Sequence, residues 1–366
     1  MKTFLINATN LKAGGGIQVA QSICDQLRNI NEYRFIIVLS SFIDDSNIYI
    51  KENAEVYHYD IKHDFRTVVL GRDSFLDGLV KKKNVDAVLT VFGPSIWRPN
   101  VPHLCGFARA QIILKDSPYY KHRSIKERVV YKIWEWAFKR CAEDFYTENE
   151  YISHILEDSW RILKVYTVTN YYNQVFDSPE LWKRTIKLPA FNGVTCLSVS
   201  SPTPHKNFGI IEGIVRYLKI HYPAFNIRFV LTCSEEQWPM ADDVKEHVVY
   251  VGKTDVSECP YLYEQSDILF MPSLLECFTA TYPEAMRMER PIVTTDLAFA
   301  QGLCGDAAFY YSAVNPESAA EALYRVATDK QIAKRLIEKG KEQLKTYDNY
   351  EERARKLVNI LEEITI

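Results

Sequence analysis

The sequence predicts an α/β protein of two domains, each built on a parallel sheet with helices on both faces. Strand-like and helix-like segments alternate along the first half of the chain, the pattern breaks between residues 170 and 192, and the alternation then resumes. Such alternation is typical of parallel sheets, because each return to the next parallel strand needs a crossover that is usually a helix. The length of 366 residues suits two domains of ordinary size.

In the first half, short apolar runs predict strands, and apolar residues at helical spacing predict the crossovers between them. The predicted strands are Thr3–Ala8, Arg34–Leu39, Glu55–Tyr59, Val85–Val91, Leu104–Ala108, Asp144–Thr147 and Lys164–Thr169. The predicted helices are Ile17–Ile30, Ser74–Lys83, Ser124–Cys141 and one that begins at Asn149. These elements place the first domain at residues 1–170.

Prolines and a glycine interrupt the pattern next, so residues 171–192 are the predicted linker between the domains. The strands predicted after it are Val194–Ser200, Asn226–Thr232, His247–Val251, Asp267–Ser273 and Pro291–Asp296. The helices predicted after it are Phe208–Tyr222, Cys259–Ser266, one whose first turns start at Ala285, Pro316–Ala327, Lys330–Lys345 and Tyr350–Leu361. The second domain is therefore predicted at residues 193–345, followed by a terminal helix within 346–366.

The composition is that of an ordinary globular protein, with 47% hydrophobic and 25% charged residues. A net charge of −3 gives no general attraction to nucleic acid, so no nucleic-acid partner is expected. The eight cysteines are scattered singly, which favours reduced, buried thiols and a cytoplasmic location. The chain enters a strand at once and has no apolar run of about 20 residues, so neither a signal peptide nor a membrane span is predicted.

The most informative segment holds two glutamates, Glu276 and Glu284, with seven residues between them. It follows the predicted strand Asp267–Ser273 and runs into a predicted helix. A strand, a tight loop with a carboxylate and a helix N-terminus form an anion site at the carboxyl edge of a parallel sheet. The segment resembles the donor-binding signature of the family 4 retaining glycosyltransferases, also described as glycosyl transferases group 1.

The resemblance implies a GT-B fold, in which two Rossmann-like domains face a central cleft and the helix in 346–366 crosses back toward the first domain. It places Glu276 beside the donor sugar and Glu284 on the ribose hydroxyls of the nucleotide. The N–H groups of Phe278, Thr279 and Ala280 would face the diphosphate. The alternatives are a solvated loop carboxylate for Glu276 and, for Glu284, a capping box with Thr281.

Three positions in this signature depart from the usual pattern of the family. Cys277, Thr279 and Arg290 stand where glycine is common. Side chains at the first two positions would make the approach of the backbone to a phosphate less close than in other members.

Lys206 is the next candidate, because it follows a strand and is predicted to open a helix. A lysine is unfavourable there unless an anion shares the site with the N-terminal amides. The resemblance implies that Lys206 contacts the donor diphosphate, while Ser201 stands where an arginine is usual. The alternative is an ordinary surface lysine.

The remaining donor-side candidates are Gly15, Gly16, Thr254 and Arg109. Glycines between the first strand and the first helix let backbone amides approach a ligand, and a flexible turn is the alternative. By the resemblance, Gly15 and Gly16 line the cleft and Thr254 lies in the turn near the nucleotide base. Arg109 stands close to the place of a histidine common in the family, and is a candidate for stabilising the leaving diphosphate.

The segment 121–141 combines basic and aromatic residues with apolar residues at four-residue spacing, namely Ile125, Val129, Ile133 and Ala137. Helices of this composition lie on anionic membranes. The alternative is a helix that packs on the sheet with a solvated basic face. The first interpretation predicts contact with a membrane surface, on the inner face of the cell membrane.

Together these features predict a retaining, metal-independent glycosyltransferase with catalytic residues Glu276, Lys206 and Arg109. Its co-substrate would be a UDP- or GDP-linked sugar, with no other cofactor, because no Asp-x-Asp motif is present. The acceptor would be a saccharide or lipid-linked saccharide in bacterial surface polysaccharide synthesis. Two alternatives stay open: a nucleotide-sugar 2-epimerase of the same fold, and a non-catalytic module that binds nucleotide sugars.

Overall fold

The structure, a computed structural model, describes residues 1–12, 14–46, 48, 51–62, 64–121 and 123–365. It divides into two compact units. Unit 1 comprises Met1–Lys115, Arg123–Asn170 and Asp348–Ile366, and unit 2 comprises Asp116–His122 and Tyr171–Tyr347. Each unit contains one fully parallel sheet, so the predicted α/β fold class is confirmed.

The sheet of unit 1 has seven strands in the order β3-β2-β1-β4-β5-β6-β7. The strands are β1 Thr3–Ala8, β2 Arg34–Leu39, β3 Ala54–His58, β4 Ala87–Thr90, β5 His103–Gly106, β6 Asp144–Thr147 and β7 Val165–Thr167. In register, Phe4 of β1 lies opposite Phe35 of β2 and Ala87 of β4. All seven lie where strands were predicted.

The sheet of unit 2 has six strands in the order β10-β9-β8-β11-β12-β13. They are β8 Val194–Ser198, β9 Ile227–Leu231, β10 Val248–Tyr250, β11 Ile268–Met271, β12 Ile292–Thr295 and β13 Ala308–Tyr311. Strand β13 was not predicted, because a four-residue edge strand that contains two half-buried residues gives little periodic signal.

Thirteen helices surround the two sheets in the described residues. They are α1 Gly15–Gln26, α2 Ser74–Lys83, α3 Ala110–Ile113, α4 Pro118–Lys121, α5 Ile125–Cys141, α6 Glu150–Trp160, α7 Ile210–His221, α8 Cys259–Glu264, α9 Thr281–Arg287, α10 Ala298–Cys304, α11 Pro316–Thr328, α12 Lys330–Leu344 and α13 Tyr350–Glu363. Short 3₁₀ turns at Gln174–Asp177 and Pro179–Leu181 follow Tyr171 in unit 2.

Side-chain caps fix where several of these helices begin. The Asp73 carboxylate accepts hydrogen bonds from two amides of the first turn of α2, and Ser124 and Glu127 form a capping box at the start of α5. Asn349 and Glu352 form a second capping box at the start of α13. Such residues satisfy N–H groups that a helix leaves unpaired at its N-terminus, and for that reason these starts were predictable from the sequence.

Helix α13 belongs to unit 1, although nearly 180 residues of unit 2 precede it. Five of its residues are buried in the same apolar cluster as strands β1 and β2 and helix α1; they are Ala354, Leu357, Val358, Ile360 and Leu361. The chain therefore passes through unit 2 and returns to complete the core of unit 1. All eight cysteines are buried free thiols.

Each sheet contains one point where the strand order reverses. In unit 1 this point lies between β1 and β4, and in unit 2 between β8 and β11. The loops that follow two such strands run in opposite directions and leave a crevice at the carboxyl edge of the sheet, where α/β proteins bind ligands. The loops after β1 and β4, and those after β8 and β11, are therefore the places to look for a site.

Candidate active site

The loops after β8 and β11 bring two predicted residues together. The Lys206 ammonium lies 2.5 Å from the Glu276 carboxylate, across 70 residues of sequence. Both side chains are largely buried, with exposed fractions of 13% and 10%. An ion pair held at a strand-order reversal of a parallel sheet is positioned to meet a charged ligand.

The prediction that Lys206 opens a helix is wrong. Lys206 ends a 3₁₀ turn, Pro204–Lys206, and α7 begins only at Ile210. The next residue, Asn207, has a φ of 54°, a left-handed conformation that interrupts the helix. The ammonium is therefore balanced by the Glu276 carboxylate and does not stand against a helix dipole.

One hydrogen bond joins the two loops, and a second ties the loop after β11 to Ser117. The Leu274 amide donates to the His205 carbonyl at 2.8 Å, and the Ser117 hydroxyl donates to the Leu274 carbonyl at 2.6 Å. His205 and Leu274 are close in sequence to Lys206 and Glu276. The backbone thus fixes the separation between the cation and the carboxylate before any ligand binds.

Two further polar residues, Asn207 and Ser273, lie close in sequence to the pair. The amide nitrogen Nδ2 of Asn207 and the hydroxyl of Ser273 are buried and make no hydrogen bond within the described part of the chain. Buried polar groups are nearly always paired, so orphaned ones mark places where a ligand or water completes the set. Sequence reasoning missed both residues; an asparagine directly after a proline-containing turn is the one signal that the chain offered.

Glu284 lies inside α9, and the capping-box alternative is wrong. The N-cap of α9 is Ala280, which makes no side-chain cap, and Thr281 is already helical. The predicted helix start at Ala285 is also wrong, because Pro283 is tolerated in the first turn of a helix and does not end the preceding loop. The Tyr263 hydroxyl, which sequence reasoning missed, donates to the Glu284 carboxylate at 3.1 Å.

The Glu284 carboxyl group is buried and unusually basic. Burial raises its pKa to about 7 from an ordinary 4.5, and the hydrogen bond from Tyr263 opposes that rise. The same burial raises the pKa of Tyr263 well above its usual value. The hydrogen bond from Tyr263 offsets little of the cost of burying the charge. The ionised Glu284 carboxylate is therefore a strong acceptor for hydrogen bonds from the hydroxyl groups of a ligand.

Phe278, Thr279 and Ala280 directly precede α9. Their N–H groups meet no protein acceptor among the described residues. Cys277 and Thr279 stand where the resemblance leads one to expect glycine, and both side chains are buried. The Thr279 hydroxyl is hydrogen-bonded to the Thr281 hydroxyl at 2.9 Å. Three unpaired amides at a loop-to-helix junction favour an anion.

The other predicted residues lie elsewhere. Thr254 follows β10, where its hydroxyl donates to the carbonyl of Gly252 at 3.1 Å, and no described hydrogen bond links it to Lys206 or Glu276. Gly15 and Gly16 are the first two residues of α1 in unit 1. The space beside Gly15, where a side chain would lie, is open. Arg109 also lies in unit 1, with its guanidinium 4.6 Å from the centre of the Trp134 ring.

Residues 204–329 match the model of the family described as glycosyl transferases group 1. The match covers about a third of the chain and lies wholly within unit 2. The matched segment includes Lys206, Thr254, Glu276 and Glu284, so the ion pair at the strand-order reversal lies within the similarity.

A relative of known function supports the match. The chain is 24% identical, over 213 residues, to the O-antigen chain mannosyltransferase RfbU of Salmonella typhimurium. The alignment covers 55% of this chain and 54% of the relative, so the chain spans about half the length of the curated protein it matches.

Solved structures similar to this chain show the fold. Sucrose-phosphate synthase from Thermosynechococcus elongatus superposes with a TM-score of 0.70 at 16% identity, covering 100% of this chain and 99% of that one. The Anabaena protein HepE, solved with UDP and glucose, gives 0.65 at 16% identity and 99% coverage of both chains. The chain therefore has the GT-B fold, as the sequence predicted. No helix in the described part of the chain is both long and apolar enough to cross a membrane.

Proposed function

We propose that this protein transfers a sugar from a nucleotide-diphosphate sugar to a saccharide or lipid-linked saccharide. The observation that carries the proposal is the buried Lys206–Glu276 pair at the strand-order reversal, within a segment that matches a glycosyltransferase family. A nucleotide sugar offers the three chemical groups that this region would bind: a diphosphate, a ribose and a hydroxyl-rich sugar.

The donor would be bound mainly by unit 2. The ammonium of Lys206 has three donors, so it can hold a phosphate oxygen while keeping its contact with Glu276. The N–H groups of Phe278, Thr279 and Ala280 would bind the same diphosphate. Glu284 would accept from the ribose hydroxyls, Glu276 from the sugar hydroxyls, and Thr254 would lie beside the base. UDP is the first nucleotide to test, since HepE was solved with it.

The reaction would be retaining and independent of metal. The bond between the anomeric carbon and the diphosphate oxygen breaks, the acceptor oxygen forms the new bond on the same face, and its proton passes to the departing phosphate. Lys206 and the three amides would stabilise the negative charge that develops on the diphosphate. In other enzymes a divalent cation stabilises this charge. Arg109 in unit 1 is the candidate for a further cationic contact.

The setting would be the synthesis of a bacterial surface polysaccharide, on the cytoplasmic side of the membrane. The similarity to an O-antigen mannosyltransferase supports this pathway class.

Helix α5 supports contact with a membrane surface. Its apolar stripe, which we define as Ile125, Val129, Ile133 and Trp136, faces outward, with exposed fractions between 52% and 81%. At 100° per residue these four side chains fall within about 80° of one another. Exposed cations flank the stripe at Lys126, Arg128, Lys132 and Lys139. Apolar side chains with flanking cations favour an anionic bilayer surface.

The proposal is tested by replacing the ion pair. Lys206→Ala and Glu276→Ala should each lower the rate of transfer from a nucleotide sugar by roughly 100-fold or more, the usual effect of removing one electrostatic contact to a transition state. Lys334→Ala, an exposed lysine on α12, should leave the rate unchanged. Radiolabelled sugar transfer to membrane extracts provides the measurement, with circular dichroism as the control for folding.

Two results would contradict the assignment. Full transfer activity in either variant would remove Lys206 and Glu276 from the site. Isomerised donor without transfer would identify an epimerase, and tight binding of the nucleotide sugar without turnover on any acceptor would identify a binding module.

A further inference from the structure

Unit 1 has a cavity of about 430 Å³ at its own strand-order reversal. Asn10 and Lys12 reach it from the loop after β1, and residues 93–96 and Arg98 reach it from the loop after β4. Arg109 lies after β5, and the C-terminal half of α5 completes the wall. The cavity thus occupies, in the first sheet, the position that the Lys206–Glu276 pair occupies in the second.

The wall of this cavity is strongly cationic. Its charged residues are Lys12, Arg98, Arg109 and Arg140, and no acidic residue lines it among those described. Arg98 meets Glu143 at 3.3 Å, but both side chains are more than half exposed, where such pairs contribute little. Four cations around one cavity repel one another, so an anion placed among them lowers the free energy of the site.

Stacking holds two of these guanidinium groups in place. Arg109 lies 4.6 Å from the centre of the Trp134 ring, and Arg140 lies 5.0 Å from that of Trp136. Arg140 also donates to the Val68 carbonyl at 2.6 Å. A guanidinium stacked on an indole presents its N–H groups at its edge, which suits bidentate binding of a phosphate.

A neutral acceptor lies in the same wall. The Asn10 side chain donates to the Phe92 carbonyl at 2.6 Å, while its Oδ1 is buried with no hydrogen-bond partner in the described part of the chain. An unpaired carbonyl oxygen beside four cations suits a ligand that carries both an anion and a hydroxyl group.

The cavity adjoins an apolar surface. Ile133 and Trp136 line it and are also members of the apolar stripe of α5, with exposed fractions of 56% and 52%. Val68 lines it as well, and the neighbouring Val69 and Leu70 are exposed. A ligand that filled the cationic cavity would therefore have an apolar surface next to its charged end.

We infer that this cavity binds the phosphate or diphosphate of an amphiphilic acceptor, whose apolar chain runs onto the stripe of α5. The inference rests on the proposed function, because it identifies the class of the acceptor as a lipid phosphate. A free sugar phosphate or inorganic pyrophosphate shares the anion but lacks the apolar chain, so the two sources can be told apart by binding.

The experiment measures binding to the full chain by isothermal titration calorimetry, without sugar nucleotide. The probes are farnesyl diphosphate below its micelle concentration, inorganic pyrophosphate and farnesol. Farnesyl diphosphate should bind at least tenfold more tightly than either of the others. Lys12→Gln and Arg98→Gln should each weaken its binding by about 10- to 100-fold, as expected for losing a charge-assisted hydrogen bond. The exposed Lys82→Gln variant on α2 should bind like the original protein.

Three outcomes would overturn the inference: equal affinity for pyrophosphate and farnesyl diphosphate, no binding of farnesyl diphosphate, or unchanged binding in both cavity variants. Lys206→Ala separates this result from the proposed function, because it should lose UDP binding and keep farnesyl diphosphate binding. Sugar transfer by a protein that does not bind farnesyl diphosphate would defeat the inference alone. Binding of farnesyl diphosphate by a protein that transfers no sugar would defeat only the proposed function.

Discussion

At the scale of single residues, two buried carboxyl groups titrate near neutrality. Burial raises the pKa of both Glu148 and Glu284 to about 7 from an ordinary 4.5. A carboxyl group whose pKa is raised on folding stabilises the protein fully below pH 4.5, and this contribution is lost as the pH rises through 7. Ionising either group therefore costs stability, unless a ligand donates hydrogen bonds to the charged form.

The nucleotide would supply those hydrogen bonds to Glu284. Ribose hydroxyls favour the ionised carboxylate, so UDP binding near pH 6 should release a proton, and UDP affinity should rise from pH 5.5 to 7.5. In Glu284→Gln the proton release should vanish and binding should weaken. Calorimetry in buffers of different ionisation enthalpy measures the proton count.

Glu148→Gln is the matched control, because Glu148 has the same raised pKa but lies in unit 1. It should keep the proton release of the original protein. Persistent release in Glu284→Gln would show that another group is linked to the nucleotide.

At the scale of elements, local patterns located most strands and helices and could not locate the contacts between them. The limits of β1, β2, β6 and α2 agree with prediction, since apolar runs and capping residues act over a few positions. The resemblance identified Lys206 and Glu276 as separate site residues, but it did not predict the contact between them, which spans 70 residues of sequence. The Tyr263–Glu284 contact and the cationic cavity have no local signature, because they depend on strand order.

Helix α5 shows how far a periodic pattern can be read. Four-residue spacing correctly grouped Ile125, Val129 and Ile133, but the pattern alone left open whether they face the sheet. In the structure the buried face consists of Phe138 and Cys141, and the stripe is exposed. Helix α5 thus packs on the sheet through Phe138 and Cys141 while its basic residues are exposed, as the alternative stated, and membrane contact of the stripe stays a prediction.

The exposed stripe should drive membrane binding. Ile125→Ser and Val129→Ser together should weaken binding to vesicles with anionic phosphatidylglycerol by about tenfold or more, since each loses apolar area at the interface. Co-sedimentation with vesicles measures the effect, which should also grow weaker as salt is raised. Neither residue lines the cationic cavity.

Leu163→Ser is a suitable control, because this leucine is fully exposed in unit 1 outside α5. It should bind vesicles like the original protein. Unchanged binding by the double variant would exclude the stripe as the membrane-binding surface.

At the scale of the whole molecule, the ends of unit 1 meet where the chain leaves it and returns. The amide and hydroxyl of Thr169 donate to the Asp348 carboxylate at 2.8 and 3.0 Å, and the Asp348 amide donates back to the Thr169 hydroxyl. Helix α13 then fills the core of unit 1. The folding of unit 1 therefore depends on residues that follow unit 2 in the sequence.

Because α13 fills the core of unit 1, a mutation in α13 should destabilise unit 1 and not unit 2. Leu361→Ala removes a fully buried side chain of α13 and should lower the free energy of unfolding by about 2–5 kcal/mol. Hydrogen exchange should accelerate in β1 and β2 and stay unchanged in β8 to β13. Leu336→Ala, at a buried position of α12 in unit 2, should give the opposite distribution. Faster exchange in unit 2 for Leu361→Ala would contradict the assignment of α13.

The seven residues 116–122 determine where the chain can be divided into its two units. They belong to unit 2 although unit 1 flanks them on both sides, and they place the Ser117 hydroxyl on the Leu274 carbonyl, beside Glu276. A gene cut after residue 170 would produce a second half that lacks this hydrogen bond and a first half that lacks α13. Recombination between relatives at the obvious midpoint would consequently yield incomplete halves, whereas exchange of a complete unit 2 requires both of its segments, 116–122 and 171–347.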